Sequence, residues 1–160
     1  MQLERCVTLL VCEAITMTYI KMGNWCVMQS TAQVVRDAVF IQEQGISPED
    51  EWDSDDAKAL HAVLFDINEQ PIGNARLMEI TPLLLKVGRM AVLREARGKG
   101  HGAKLLQALL LEAKKRGAHE VCLSAQQTAK GFYVAHGFIA LGNPFDEVGI
   151  SHVHMHLRLA

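Results

Sequence analysis

"REARGKGHGAKLLQALLLEAKKRG", residues Arg94 to Gly117, sets Gly98, Gly100 and Gly102 among the bases Arg97, Lys99 and His101, then runs directly into an apolar pattern. Leu105, Leu106, Leu109, Leu110 and Ala113 recur at helical spacing, and Lys114, Lys115 and Arg116 fall in the last turn before Gly117, where cations favour a helix end. Amides in the first turn of a helix lack intrahelical partners and sit at the positive end of its dipole, so a helix start is an anion site. Glycines let that backbone approach an anion with no Cβ in the way, while Arg97 and Lys99 add charge. The stretch therefore reads as a phosphate cradle. It is not a P-loop, because GxxxxGK[ST] is absent. Nor is it a dinucleotide fingerprint, because Gly98 to Ala103 reads GxGxG and no acidic residue follows at a strand end about 20 residues on. A turn that merely bends the chain would explain the glycines, but not the basic pair and the immediate helix start.

Upstream of the cradle, Ala62–Ile67, Ile72–Ile80 and Leu83–Leu93 are apolar or alternating runs separated by the turn signals "NEQP" and "TP". They predict three consecutive antiparallel strands. Thr31–Gln44 carries Val34, Val35, Ala38, Val39 and Ile41 at roughly helical spacing, with Ser30 or Thr31 as the expected N-cap. Downstream, Val121–Ala125 predicts a strand, Thr128–His136 a short helix ended by Gly137, and Phe138–Leu141 with Val153–Leu159 the closing strands. A mixed α/β sheet with helices on it follows.

The 160 residues, 49% of them hydrophobic, suffice for one domain spanning 1–160 with a sizeable core. A net charge of -2 provides no global field for a polyanion, so no nucleic-acid partner is expected and any anion is bound locally. Cys6, Cys12, Cys26 and Cys122 form neither a CxxC pair nor a dense framework, which fits a reducing cytoplasm. Cys6–Ile15 has the texture of a signal-peptide core. It carries Glu13, however, follows Glu4 and Arg5, lacks a small-residue cleavage site and is too short to span a bilayer. Residues 1–18 are thus read as an extension or an extra strand, and no membrane association is expected. "PEDEWDSDD", Pro48–Asp56, reads as an acidic surface loop anchored by Trp52. Two uses stay open for it: a solvated surface, or attraction of a cationic amine or lysine-bearing peptide.

Arg97-Gly98-Lys99-Gly100-His101-Gly102 matches R/Q-x-x-G-x-G/A, the pyrophosphate loop of the GNAT N-acetyltransferase family, and lies as it does there, between a strand (Val87–Leu93) and a long helix. Phe132-Tyr133-Val134-Ala135-His136-Gly137-Phe138 resembles the "FY…GF" segment of that family. The likeness covers about Val34 to Leu159. "RDAVFIQEQG" (Arg36–Gly45) and "GISHVHM" (Gly149–Met155) resemble the ElaA/YjcF-like branch. The resemblance implies an acyl-CoA N-acyltransferase fold: a central, mostly antiparallel sheet splayed at its middle strands, with flanking helices. It implies acetyl-CoA as co-substrate and a primary amine, small or on a lysine or N-terminus, as acceptor. The amine would attack the thioester directly in a ternary complex. Met90, Ala91 and Val92 would pair with the pantetheine arm. Arg97, Gly98, Lys99, Gly100, His101, Gly102 and Ala103 would serve the pyrophosphate, with Phe132 completing the cofactor-binding set. Tyr133 would protonate the departing thiolate, and pairing through the last strands would give a homodimer.

Read without the family, Tyr133 beside Phe132 is equally consistent with a core aromatic. An amine is protonated at neutral pH and must lose a proton before attack. Glu79, near the end of a strand leading into the splayed pair, is the candidate base, with Glu43 and His61 as others; each has a bland reading as a strand-end charge, a helix-surface carboxylate or an edge-of-strand histidine. His152, His154 and His156 alternate along a strand, a pattern open to zinc or to a solvent- or ligand-facing strand face; no metal is expected, because no other ligand cluster is visible. His101 reads as solvent-facing and Cys122 as buried packing. Three functions fit: acetyl transfer, a non-catalytic acyl-CoA sensor on the same fold, and a protein-interaction module whose glycine turn binds only adventitious anions. Tyr133 favours the first over the second; the coherence of strand, loop and helix disfavours the third.

Overall fold

The structure, a computed structural model, describes residues 17–160. The expected N-terminal extension or extra strand lies, as far as residue 16, outside the described residues. Among the described residues seven strands form one sheet, in the order β1-β2-β3-β4-β5-β7-β6. They are β1 (Tyr19–Gly23), β2 (Leu60–Phe65), β3 (Pro71–Thr81), β4 (Leu84–Val92), β5 (Glu120–Gln126), β6 (Ile139–Glu147) and β7 (Ile150–Arg158). Every neighbouring pair is antiparallel except β4 and β5, which run parallel. The helices are α1 (Trp25–Arg36), α2 (Pro48–Glu51), α3 (His101–Lys115) and α4 (Lys130–Ala135).

The leucine stripe read in the sequence builds the main core. Leu105, Leu106, Leu109 and Ala113 of α3 are fully buried, and α3 lies on β2, β3 and β4. Each buried leucine is worth about 2 kcal/mol of transfer free energy. Gly73 of β3 permits the contact, because a Cβ there would come within 2.9 Å of Leu105 Cδ1. On the opposite face, α1 packs over β2 and β3 through Met28, Ala32 and Val35. α4 packs on β5 and β6. Among the described residues no helix is long and apolar enough to cross a membrane.

Three sequence expectations are corrected here. The first helix starts at Trp25, not after Ser30 or Thr31, because the Asn24 side chain accepts the Val27 amide at 3.1 Å and caps it. β1, five residues long, was not anticipated. The last hairpin is longer than read: "GNP" (Gly142–Pro144) looks like a loop, yet it forms an irregularity within β6. β6 is an edge strand, where a proline's missing N–H is tolerated. β7, the last strand, lies between β5 and β6, so the outer edge on that side belongs to β6.

The helix of α1 does not stop at Arg36 but widens into a π-type segment, Asp37–Glu43, in which the Gln44 amide reaches back to the Val39 carbonyl. Such widening shifts side chains around the axis and is frequent at functional sites. Val39 and Phe40 stay on the sheet, while Glu43 and Gln44 turn toward the ends of β4 and β5.

Candidate active site

β4 and β5 share only three ladder pairs, Leu84 with Glu120, Leu85 with Val121 and Lys86 with Cys122. Both strands then run on without meeting, β4 to Val92 and β5 to Gln126. A cleft of about 730 Å³ opens there, lined on one side by Gly88 to Val92 and on the other by Leu123, Ser124 and Gln126. The two sides of a splayed parallel pair leave main-chain groups that a third extended chain can satisfy. Met90, Ala91 and Val92 line this open edge of β4.

The cleft wall is shaped by a bulge. Asn74 pairs with Ala91 and Arg76 with Gly88, so Arg89 and Met90 together face Ala75, and Arg89 takes φ 50°. Asn74 Nδ2 fixes the bulge by donating to the Arg89 carbonyl at 2.9 Å. The extra residue inverts the alternation of the strand: Leu85 and Val87 belong to the α3-side core, whereas Ala91 packs with Val35, Val39 and Phe40.

At the outer end of β4 stands the glycine turn. Gly98 and Gly100 have φ 76° and 81°, left-handed values that cost other residues about 1 kcal/mol. Gly100 occupies the N-cap of α3 and offers no side-chain cap, and the first intrahelical bond is from the Lys104 amide to the Gly100 carbonyl at 3.1 Å. The amides of His101, Gly102 and Ala103 are thus left for an external acceptor. The first turn holds no acidic residue. Phe132 lies against Gly102, at 3.5 Å from where a Cβ would be, so the two sequence motifs meet in space.

Two side chains of this loop differ from the expectation. His101 is buried rather than solvent-facing, and burial, reinforced by Lys99 and Lys104, lowers its pKa and favours the neutral ring. The Arg97 guanidinium is already engaged, donating to both Glu43 oxygens at 2.7 Å and to the Val92 carbonyl at 2.9 Å. The hydrogen bonds from Arg97, opposed by burial and joined by Arg94, bring the Glu43 carboxyl down to about 2. So strong an acid makes a poor base, which removes Glu43 from that role. A folded-state pKa below the ordinary 4.5 contributes stability above pH 4.5 that disappears as the pH falls through about 2. Glu43→Gln should accordingly be less stable than wild type at pH 7, with the gap closing on acidification; urea unfolding at a series of pH values measures it, and a pH-independent gap would contradict the pairing.

Tyr133 lines the same cleft. α4 buries it to 8% exposure between Phe132 and Phe138, with both rings edge-on, and its Oη donates to Met90 Sδ at 3.3 Å. Burial pushes its pKa up to about 12, so the phenol keeps its proton. Gln44 and Gln126 reach across from the π-type segment to the end of β5, each amide nitrogen donating to the other's oxygen at 3.3 and 2.8 Å.

The remaining base candidates fall elsewhere. Glu79 is exposed and does not line the cleft; it follows Leu77 on the α3-side face, while Arg76 and Met78 line the cleft from the other. His61 is fully buried beside Trp25, and burial lowers its pKa, leaving a neutral structural ring. His152, by contrast, lines the cleft, its neighbour His154 contacts Ser124 Oγ at 3.2 Å, and no group of three potential metal ligands occurs among the described residues.

The acidic stretch is also not the solvated loop expected. Glu51 and Asp56 are 2% exposed. Arg36 donates to Glu51 at 2.7 Å and to Asp56 at 2.8 Å, Arg76 donates to Asp53 and Asp56 at 2.7 and 2.8 Å, and Arg89 donates to Asp53 at 3.1 Å. Trp52 is anchored as read, under the Arg36 guanidinium at 4.9 Å. Three arginines balance three carboxylates. Burial, which would raise the Asp53 pKa, is outweighed by its bonds from Arg76, whereas burial dominates at Glu51 and raises it.

Comparison with known proteins agrees with this architecture. Residues 30–159 match the family model of the acetyltransferase (GNAT) domain. The uncharacterised N-acetyltransferase YjcF of Bacillus subtilis is 34% identical over 122 residues, covering 76% of this chain and 86% of that protein. A crystal structure from Lactobacillus plantarum, assigned to the N-acetyltransferases, superposes with a TM-score of 0.83 at 31% identity, over 89% of this chain and 99% of the other. Escherichia coli ElaA shares the fold with a TM-score of 0.77 at 24% identity, over 88% and 99% of the two chains. With a splayed β4–β5 pair, an uncapped glycine start to α3 and this sequence kinship, the chain belongs to the GNAT acetyltransferase family, on its ElaA/YjcF-like branch.

Proposed function

We propose that this N-acetyltransferase moves the acetyl group of acetyl-CoA to a primary amine, which attacks the thioester directly while both substrates are bound. The observation that carries the reading is the continuity of one cleft from the open edges of β4 and β5 to Tyr133, with the uncapped start of α3 beyond Val92. The residues fit the co-substrate. Extended main chain at Met90–Val92 suits an amide-bearing arm, and the amides of His101, Gly102 and Ala103 with Lys99 suit a pyrophosphate. A GNAT acetyltransferase from Elizabethkingia anophelis with acetyl-CoA bound has the same fold, with a TM-score of 0.63. When bound, the thioester supplies an activated acetyl group. A covalent acyl-enzyme is disfavoured at Cys122, whose thiol is pushed up by burial and so holds its proton. That thiol and Cys26 are free cysteines, in keeping with the reducing cytoplasm in which we place the enzyme.

Tyr133 is the donor to the leaving sulfur. Burial holds its pKa near 12, so the phenol keeps its proton in the resting site. It therefore acts chiefly as a hydrogen-bond donor to developing charge, a role worth about 2–4 kcal/mol in a water-poor site. Its present partner, Met90 Sδ, is already a sulfur acceptor. Tyr133→Phe keeps the aromatic packing and removes only the hydroxyl. It is expected to lower kcat by roughly 10²-fold while leaving KM for acetyl-CoA within about threefold. Thiol release in steady state tests this, and an unchanged kcat would remove Tyr133 from the chemistry. The reading as a whole is tested by calorimetric titration with acetyl-CoA and coenzyme A against ATP and NAD, followed by an amine screen. Binding without transfer to any amine would return the sensor reading.

A further inference from the structure

The β6–β7 hairpin turns at Val148 and Gly149, both at positive φ (49° and 78°), with the Gly149 amide held by Asp146 Oδ1 at 3.1 Å. Phe145 pairs with His152 and Glu147 with Ile150, so Glu147 and His152 are diagonal neighbours on one face, and both line the cleft. His152 is 7% exposed, packed against Phe145 at 6.0 Å between ring centroids and opposite Gln126. Its Nδ1 lies 2.7 Å from the Ile150 carbonyl oxygen. A carbonyl only accepts, so Nδ1 carries the hydrogen, and in the neutral ring Nε2 keeps a lone pair. Glu147 Oε2 is 3.7 Å from that Nε2, too far for a direct hydrogen bond. Two acceptors at this separation can share one donor group placed about 2.8 Å from each, and an alkylammonium has the hydrogens to satisfy both.

We propose that His152 is the proton acceptor of the transfer and that Glu147 holds the ammonium beside it. This rests on the acetyltransferase reading above and supplies the base that neither Glu79, Glu43 nor His61 provides. R–NH3+ gives one proton to Nε2. The freed lone pair forms the C–N bond to the thioester carbon as the C–S bond breaks. The new amide loses its second N–H proton, which protonates the thiolate hydrogen-bonded to Tyr133, and His152 returns the first proton to water. One proton is released per turnover. Glu147 on β6 and His154 on the same face of β7 neighbour the ring; Tyr133 on α4 lines the same cleft, as do Asp50, Glu51, Asp53, Asp55, Arg76, Lys86, Arg89 and Arg97 from the other half of the molecule, while the turn 127–129 and the facing Gln126 carry no ionisable group.

The test compares His152→Gln with wild type on two probe amines near neutral pH, ethylamine, which is protonated there, and methoxyamine, which is not. Loss of a general base should cost about 10²-fold or more on ethylamine. Methoxyamine transfer and acetyl-CoA affinity should change by only a few-fold. Nitrogen NMR of wild-type His152 at pH 8 should show the neutral Nδ1–H tautomer. An equal fall on both amines, no fall on either, or a ring found charged or in the Nε2–H tautomer overturns the proposal. Wild type that acetylates methoxyamine but not ethylamine overturns it while leaving acetyl transfer standing. Wild type that binds acetyl-CoA yet acetylates neither probe nor any amine of the screen withdraws the transfer reading as well.

Discussion

Gly100→Glu is expected to weaken acetyl-CoA binding by about 10³-fold. With the pyrophosphate at the start of α3, as proposed, a carboxylate at the N-cap brings a like charge against it, and one such pair at about 4 Å costs about 4 kcal/mol at an effective dielectric constant of 20. The backbone adds to this, because position 100 is at φ 81°. Gly100→Ala separates the two effects: it keeps the strain, about 1 kcal/mol, and omits the charge, so its binding should weaken less than tenfold. Calorimetric titration of both variants decides. Wild-type affinity in Gly100→Glu would place the pyrophosphate elsewhere.

Asp56→Ala should destabilise the fold by about 3–5 kcal/mol, because it leaves two buried guanidiniums without their shared carboxylate. Asp56 Oδ1 accepts from Arg36 and Arg76, each at 2.8 Å, and its carbonyl lies 2.9 Å from His61 Nε2. At about 2–4 °C per kcal/mol for a chain of this size, the melting temperature should fall by roughly 10 °C. Asp50, in the same acidic run but exposed, should tolerate alanine within about 0.5 kcal/mol. Thermal unfolding of the two variants side by side distinguishes a buried network from a solvated loop, and equal melting temperatures would restore the latter.

What could be read from the chain was what depends on local spacing. The stripe from Leu105 to Ala113 and the glycines at 98, 100 and 102 each state their role within a few residues, and the helix start falls where they put it. The acidic run could not be read that way, because its partners Arg36, Arg76 and Arg89 are brought in by other elements; from the run alone its charges look solvated. The bulge at Arg89 and Met90 was hidden for a related reason. Nothing in "KVGRMAV" marks the residue at which alternation reverses, and only the register against β3 shows it. Glu79 was chosen for its strand-end position, but a one-residue parity places it on the far face. His152 carried a signal, the alternation of three histidines, yet its place in the cleft depends on a hairpin whose two halves the sequence did not pair.

The three ladder pairs at Leu84–Lys86 are also a mechanical statement. β1 to β4 with α1 and α3 form one leaf, β5 to β7 with α4 another, and the sheet hydrogen bonds between them are confined to one short seam. The softest deformation of such a body is a change in the angle between the leaves, with the Gln44–Gln126 clasp as its far stop. A chain laid between β4 and β5 would add rungs to both leaves at the greatest distance from the seam, where each bond has the longest lever arm. A ligand bound in that way would therefore stiffen the molecule as a whole, out of proportion to the number of contacts it makes.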